Sequence, residues 1–264
     1  MKMGPGEVWR ATRTPDGPAT TRITRSAPGE LTMQAWGPGA EWAVDAFPAL
    51  VGQDDDDSGF EPRDPTVAEL RRRLPGLRLG RTGAVVEALV ASIIEQKVIG
   101  REARQSYARL VRSLGEPAPG PNPLELFVPP APEVLARTPA HVFHRFGIER
   151  KRADTIRLAA SYAHRLAEAP ERMTVLPGIG PWTAAEVSLI ARGDPDAVSV
   201  GDYHLPNIVA FTLANEPRAD DARMLELLEP FRGHRGRVVR LIEAGGRTPP
   251  RFGPRLALNP IANL

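Results

Sequence analysis

Residues 176–184 read Leu176-Pro177-Gly178-Ile179-Gly180-Pro181-Trp182-Thr183-Ala184. Two glycines set two apart permit a tight turn and leave backbone amides uncovered. Pro181 suits the first turn of a following helix, where its missing N–H costs nothing. The stretch therefore predicts a helix, a hairpin and a second helix whose positive end carries free N–H groups. Such an end receives a phosphate. A flexible turn between two packed helices accounts for the same residues equally well. Leu74-Pro75-Gly76-Leu77-Arg78-Leu79-Gly80 opens in the same way, but its glycines stand four apart and form no tight nest.

Downstream, a short apolar run, Ala197-Val198-Ser199-Val200, leads into Gly201-Asp202-Tyr203-His204-Leu205-Pro206-Asn207. Asp202 precedes an apolar helical pattern, where an aspartate ordinarily caps the helix. Twenty residues separate it from Trp182. That is enough for one helix and a return loop, so the carboxylate can face the mouth beside the hairpin.

Outward from this pair the chain is helical. Val85, Leu89 and Ile93, and Val86, Val90 and Ile94, recur at i, i+4, the mark of an amphipathic and rather buried helix. Tyr107, Leu110, Val111 and Leu114 repeat the pattern, with Gly115 as a stop. Further helices are predicted over 133–137, 139–145, 149–167, 181–192, 203–214, 221–229 and 234–244, with a short one before Leu176. Residues 116–132 carry seven prolines and read as a linker or surface crossover. At the N-terminus, Glu7–Thr12, Thr20–Thr24 and Leu31–Trp36 are β-like runs separated by Pro15-Asp16-Gly17 and Pro28-Gly29. They predict a small antiparallel sheet leaning on the bundle, since three strands bury little alone. A helix is expected over 40–50, then a solvated acidic loop at Asp54–Asp57 and, at the far end, an irregular tail with Pro249, Pro250, Pro254 and Pro260. The expected division is residues 1–60 (sheet, helix and acidic loop) and 61–264 (all helical).

Composition narrows the classes. The 264 residues include 42% hydrophobic and 25% charged, an ordinary globular balance. There is no cysteine, which excludes disulfides, thiol catalysis, cysteine-ligated zinc and iron–sulfur clusters. No apolar run is long enough for a membrane span, and Met1-Lys2-Met3-Gly4-Pro5 lacks a secretory apolar segment. A cytoplasmic, nucleoid-associated monomer that binds no membrane is the expectation. The net charge is +2, but it is uneven. Residues 1–60 hold 5 basic and 9 acidic side chains, and the last 34 residues hold seven arginines against Glu243. Arginine preference suits phosphate recognition; arginine-rich codon usage explains it as well. His141 and His144 sit i, i+3 but lack a third ligand nearby, so no metal is expected from side chains.

The sequence Leu-Pro-Gly-Ile-Gly-Pro-Trp-Thr-Ala followed by Val200-Gly201-Asp202-Tyr203 resembles the helix-hairpin-helix superfamily of DNA base-excision glycosylases, most nearly its 3-methyladenine DNA glycosylase II branch. Ile93-Ile94-Glu95-Gln96-Lys97-Val98 is similar to that branch's isoleucine–glutamine–valine helix. Gly147-Ile148-Glu149-Arg150-Lys151-Arg152-Ala153 is similar to its glycine–basic–alanine helix start. The likeness covers roughly residues 64–245, and the N-terminal sheet looks like a shortened form of the branch's small β domain.

The resemblance implies a mainly α fold, a bundle of two helical subdomains with a small antiparallel β appendage (α+β). It implies hydrolysis of the N-glycosidic bond of alkylated or deaminated purines flipped out of duplex DNA. Asp202 is the expected catalytic carboxylate. Trp182, Tyr203 and Gln96 are expected in the base pocket, and Gly178, Ile179, Gly180 and Thr183 at the phosphate. Lys97 is read as a DNA wedge or a phosphate contact. Bifunctional members attack the sugar with a lysine near the position of Trp182; tryptophan cannot, so no strand-cleaving lyase activity is expected. No organic cofactor is implied, and the hairpin carbonyls of Val175–Ile179 are implied to hold a monovalent cation. Two departures stand out. Glu186 lies one turn after Trp182 where the branch can place an aromatic, and Arg237-Val238-Val239-Arg240 lacks the branch's late aromatics. A helix-hairpin-helix protein that grips DNA without cutting it is the alternative.

Overall fold

A computed structural model of the chain describes residues 1–4, 6–27 and 29–250; the proline-containing tail beyond them lies outside the described residues. The N-terminal unit is a four-stranded antiparallel sheet in the order β1 (Lys2–Gly4), β2 (Glu7–Thr14), β3 (Gly17–Ala27), β4 (Glu30–Trp36). Sequence patterning predicts the last three strands. The first is too short to announce itself and is held by pairing, Lys2 opposite Trp9 and Met3 opposite Val8. Next come α1 (Ala40–Asp45) and α2 (Phe47–Leu50), two pieces where one helix is expected, because Pro48 cannot continue the ladder of α1.

The proline-rich stretch does not cross the surface as a linker. After α3 (Pro65–Arg73), α4 (Val85–Glu95) and α5 (Gly100–Leu114), the chain forms an antiparallel ladder of β5 (Glu116–Pro117) with β6 (Phe127–Val128). Ala118, Leu126 and Val128 are buried with Trp9 and Ala11. Trp9 and Trp36 stack 5.6 Å apart and nearly parallel in the same cluster. Proline excludes a helix here but not a short ladder at an edge. The prediction that 61–264 is wholly helical is corrected to that extent.

The remaining helices are α6 (Pro132–Arg137), α7 (Ala140–His144), α8 (Arg150–Ser161), α9 (Ala163–Glu168), α10 (Pro181–Val187), α11 (Leu205–Ala214), α12 (Asp221–Leu228) and α13 (Arg235–Gly245). A 3₁₀ turn at Pro170–Val175 precedes the hairpin, and a π turn at Ser188–Arg192 extends α10. Two apolar cores define two helical lobes. The first joins Leu89, Ile93 and Ile94 of α4 with Leu110, Leu135, Phe143, Ile148, Ile156 and Val187. The second joins Val67 and Leu70 of α3 with Val209, Met224, Leu228, Val238 and Ile242. Each such side chain contributes about 1.5–3 kcal/mol of burial free energy. The first lobe is a nearly continuous segment. The second brackets it, because α3 packs on α11 and α13. Chain entry into the second lobe, right after the π turn, puts Asp202 at the seam.

The acidic loop is tied into this lobe. The side chain of Asp55 is 3% exposed and that of Arg237 on α13 is 2% exposed. The guanidinium donates to both carboxylate oxygens at 2.7 Å. Asp54–Asp57 is therefore not uniformly solvated, which corrects the expectation from its composition. A run of like charges reads as solvent-facing unless a distant arginine arrives, and Arg237 is 182 residues away.

Candidate active site

The hairpin is built as its glycines require. Gly178 sits at φ +88°, and a Cβ there would lie 2.3 Å from Thr155 Oγ1 of α8. Gly180 has an ordinary φ of −98° with ψ −177°, and a Cβ there would meet nothing within 4 Å. The first glycine is fixed by the protein; the second is small toward open space. Ile179 drops into the first core, and its amide donates to Leu176 O at 3.2 Å. Its role is that of an anchor, so its amide is not available for a phosphate. Among the described residues, the amides of Gly178, Gly180, Trp182 and Thr183 have no acceptor. These four N–H groups are the candidate nest.

Two side chains brace it. Gln96, the cap residue of α4, donates from Nε2 to Gly178 O and to Thr183 Oγ1, both at 2.9 Å. Its amide nitrogen is thereby committed to the hairpin rather than to a base pocket. Arg152, buried on α8, donates to Ile94 O at 2.7 Å and holds the last turn of α4 where Gln96 can reach. Nothing in the sequence marks Arg152 as buried, since the residues around it are the exposed basic run Arg150-Lys151. Lys97 follows Gln96 at φ +57° and is exposed. A left-handed lysine is uncommon. Here it projects a cation from the turn that holds the hairpin.

Asp202 and Trp182 meet. Trp182 Nε1 donates to Asp202 Oδ2 at 3.2 Å. The other oxygen, Oδ1, accepts the amides of His204 at 2.7 Å and Leu205 at 2.8 Å. Asp202 thus holds the start of α11 and faces Trp182, the second residue of α10, side chain to side chain. The capping bonds and the contact with Trp182 use different oxygens and are therefore compatible.

Glu186 stands one helical turn beyond Trp182, half-buried. The Ser199 hydroxyl donates to its Oε1. Burial pushes its pKa above the usual range, and Glu243 and Asp202 push it further, against the Ser199 hydrogen bond and Arg240. Glu95, at the end of α4, is raised by burial and then by Glu186 itself, with Arg104 opposing. A cavity of about 520 Å³ opens farther along the same face. Leu189, Ile190, Arg240, Glu243 and the 77–80 segment line it. Asp202 and Trp182 are not in its wall.

Tyr203 does not join the group. It is 81% exposed, and its ring meets only the edge of His204, at 4.8 Å. Asp202 turns inward, and the residue after it in this tight turn points out. The C-terminal arginines are also differently employed. Arg232 pairs with Glu229, Arg235 with Asp196, Arg237 with Asp55 and Arg240 with Glu243. Arg247 donates to Asn215 Oδ1 and the Phe211 carbonyl. Among the described residues, these five arginines of the C-terminal stretch are engaged within the protein. Among the described residues no group of three metal-ligating side chains occurs, and no helix is long and apolar enough to cross a membrane.

No family profile matches the chain. It is 30% identical over 153 residues to the probable bifunctional transcriptional activator/DNA repair enzyme AlkA of Mycobacterium tuberculosis. That match covers 54% of this chain and 30% of the relative, so the chain spans under a third of the curated protein it matches. Among solved structures, a 3-methyladenine DNA glycosylase from Archaeoglobus fulgidus superposes with a TM-score of 0.75 at 20% identity, covering 89% of this chain and 86% of the other. An 8-oxoguanine glycosylase/lyase from Clostridium acetobutylicum, in complex with double-stranded DNA, gives 0.67 at 15% identity over 89% and 85%. The architecture is that of the helix-hairpin-helix DNA glycosylases, as the resemblance implies.

Proposed function

We propose that this chain, which carries the helix-hairpin-helix DNA glycosylase fold, is a base-excision enzyme that hydrolyses the N-glycosidic bond of alkylated or deaminated purines in duplex DNA. One observation carries the reading. A carboxylate lies within hydrogen-bond reach of the indole that directly follows the phosphate-competent turn. Departure of the base leaves an oxocarbenium-like sugar, which a fixed anion stabilises in a water-poor site. The same carboxylate can take a proton from the attacking water. The base is unreachable inside the duplex and must be flipped out; the face of Trp182 offers it a stacking surface, which suits a cationic purine.

The free amides of the turn would hold a phosphate of the damaged strand, with Lys97 beside them as phosphate contact or wedge. A monovalent cation at the hairpin carbonyls belongs to the same proposal. Oxygen donors suit such an ion, and those of Leu176 and Gly178 already accept Ile179 N and Gln96 Nε2, which leaves Val175, Pro177 and Ile179 to provide them. We also propose a monomer and a monofunctional mechanism, since Trp182 occupies the place of an attacking amine. Borohydride trapping should give no covalent DNA adduct; an adduct would overturn that part.

The non-catalytic alternative is disfavoured by Asp202 itself, because a carboxylate at a DNA-gripping surface repels the backbone. The test is release of free base from methylated duplex DNA. Wild type should release it, and Asp202→Asn should not. Equal release by both proteins, or none by either, sinks the proposal.

A further inference from the structure

Glu186 is a feature of the cleft that the proposed reaction does not use. It shares a helix face with Trp182, four residues earlier, and Ile190, four residues later; Ile190 lines the adjoining cavity. It therefore sits between the stacking surface and the cavity. Its Oε1 takes the Ser199 hydroxyl. Among the described residues its Oε2 has no hydrogen bond and no cation forms an ion pair with it. The charged groups facing it are Glu95 from α4, Asp202 ahead of α11, and Arg240 and Glu243 from α13. Arg240 is already paired with Glu243 at 2.8 Å. The space beyond Trp182 is thus net negative, inside a protein whose other site features would receive phosphate. That free oxygen is not among the buried side-chain atoms that lack a partner, so it is open to solvent and to a ligand entering the cleft.

We propose that Glu186 is a specificity-determining residue that contacts the flipped base directly. Its free oxygen accepts from an N–H on the purine edge and balances a delocalised positive charge, so the cleft favours cationic N-alkylated purines over neutral deaminated ones. This inference rests on the glycosylase reading and goes beyond it by assigning the discrimination to one side chain. Burial and the neighbouring carboxylates push the Glu186 pKa up; a bound cation acts in the opposite sense and favours the ionised form.

The experiment compares wild type with Glu186→Gln, which keeps shape and the Ser199 contact but loses the charge. Single-turnover base release is measured on duplexes carrying 7-methylguanine (cationic) or hypoxanthine (neutral) at one position. Affinity is measured for a duplex with a tetrahydrofuran abasic analogue, which presents no base. The ratio of 7-methylguanine to hypoxanthine release should fall about tenfold or more in the variant, the range for a hydrogen bond to a charged group. Where wild type releases only 7-methylguanine, that release should fall by the same factor while affinity for the abasic duplex stays at the wild-type level. Equal losses on both bases, a loss that tracks abasic-duplex affinity, or a larger loss on hypoxanthine (the signature of a proton donor) would each overturn the assignment. A wild type that releases neither base sinks the glycosylase reading itself; a working wild type with an unchanged ratio sinks only the role of Glu186.

Discussion

Asp202 holds the start of α11 with one carboxylate oxygen and meets Trp182 with the other, and the catalytic role proposed for it can be separated from the capping by substitution. Asparagine caps a helix about as well as aspartate, so Asp202→Asn keeps the bonds to His204 and Leu205 while it removes the charge and replaces the acceptor of Trp182 Nε1 with an N–H₂. Base release should drop about 100-fold or more, with little change in melting temperature because the cap is kept. Asp202→Ala should lose the same activity and, in addition, about 1 kcal/mol of stability as the cap goes. The glycines divide likewise. Gly178→Ala forces a side chain into a left-handed position against Thr155 and should cost roughly 1–3 kcal/mol in a denaturant melt. Gly180→Ala meets open space and should leave stability alone. It should weaken binding to every duplex by roughly tenfold, the loss of one hydrogen bond to a charged phosphate, with no sequence preference. Loss confined to one sequence would contradict the phosphate role.

At the scale of elements, the hairpin is positioned by a relay rather than by its own turn. Arg152 on α8 holds the end of α4, and the end of α4 holds Gly178 and Thr183 through Gln96. Gln96→Ala should cost about 1–2 kcal/mol for the two bonds lost. Its DNA affinity should fall while the relative rates on different lesions stay fixed, because the nest loosens but the base is not contacted. A change in lesion preference would instead return Gln96 to the base pocket. The same elements show how far periodicity reads. The apolar stripe of α4 and the start of α10 at Pro181 are local properties and were legible in the sequence. The split of α1 from α2, the π turn after Val187 and the short ladder at 116–128 depend on what each segment packs against.

For the molecule as a whole, the buried pair of Asp55 and Arg237 fastens the N-terminal unit to the second lobe. Burial opposes ionisation of Asp55, but the Arg237 hydrogen bonds, the Leu79 amide and the charges of Arg237 and Arg78 outweigh it and hold the carboxyl below its ordinary range. A depressed folded-state pKa stabilises at pH values above the unfolded one, about 3.9, and that contribution is lost as pH falls through the folded value. Wild type should therefore keep the pair at pH 5 and lose it in an acid titration below about pH 4. Arg237→Ala, which strands a buried carboxylate, should cost about 3–5 kcal/mol at neutral pH and flatten that acid limb. DNA binding should also weaken steeply with salt as phosphate contacts release counterions.

The local pattern by itself determined a good deal: the hairpin, its following helix, the helix entered after Asp202 and the alternation of the sheet. These depend on dihedral preferences, caps and periodicities within a few residues. Only the tertiary structure decided what those segments face. It turned Asp202 toward Trp182 and left Tyr203 in solvent, committed Gln96 to the turn, buried Arg152 and Asp55, and paired Arg232, Arg235, Arg237 and Arg240 internally. The physical reason is that burial and charge pairing are made between residues far apart in the chain, and the energy of a side chain there depends on a partner that its own neighbours do not name.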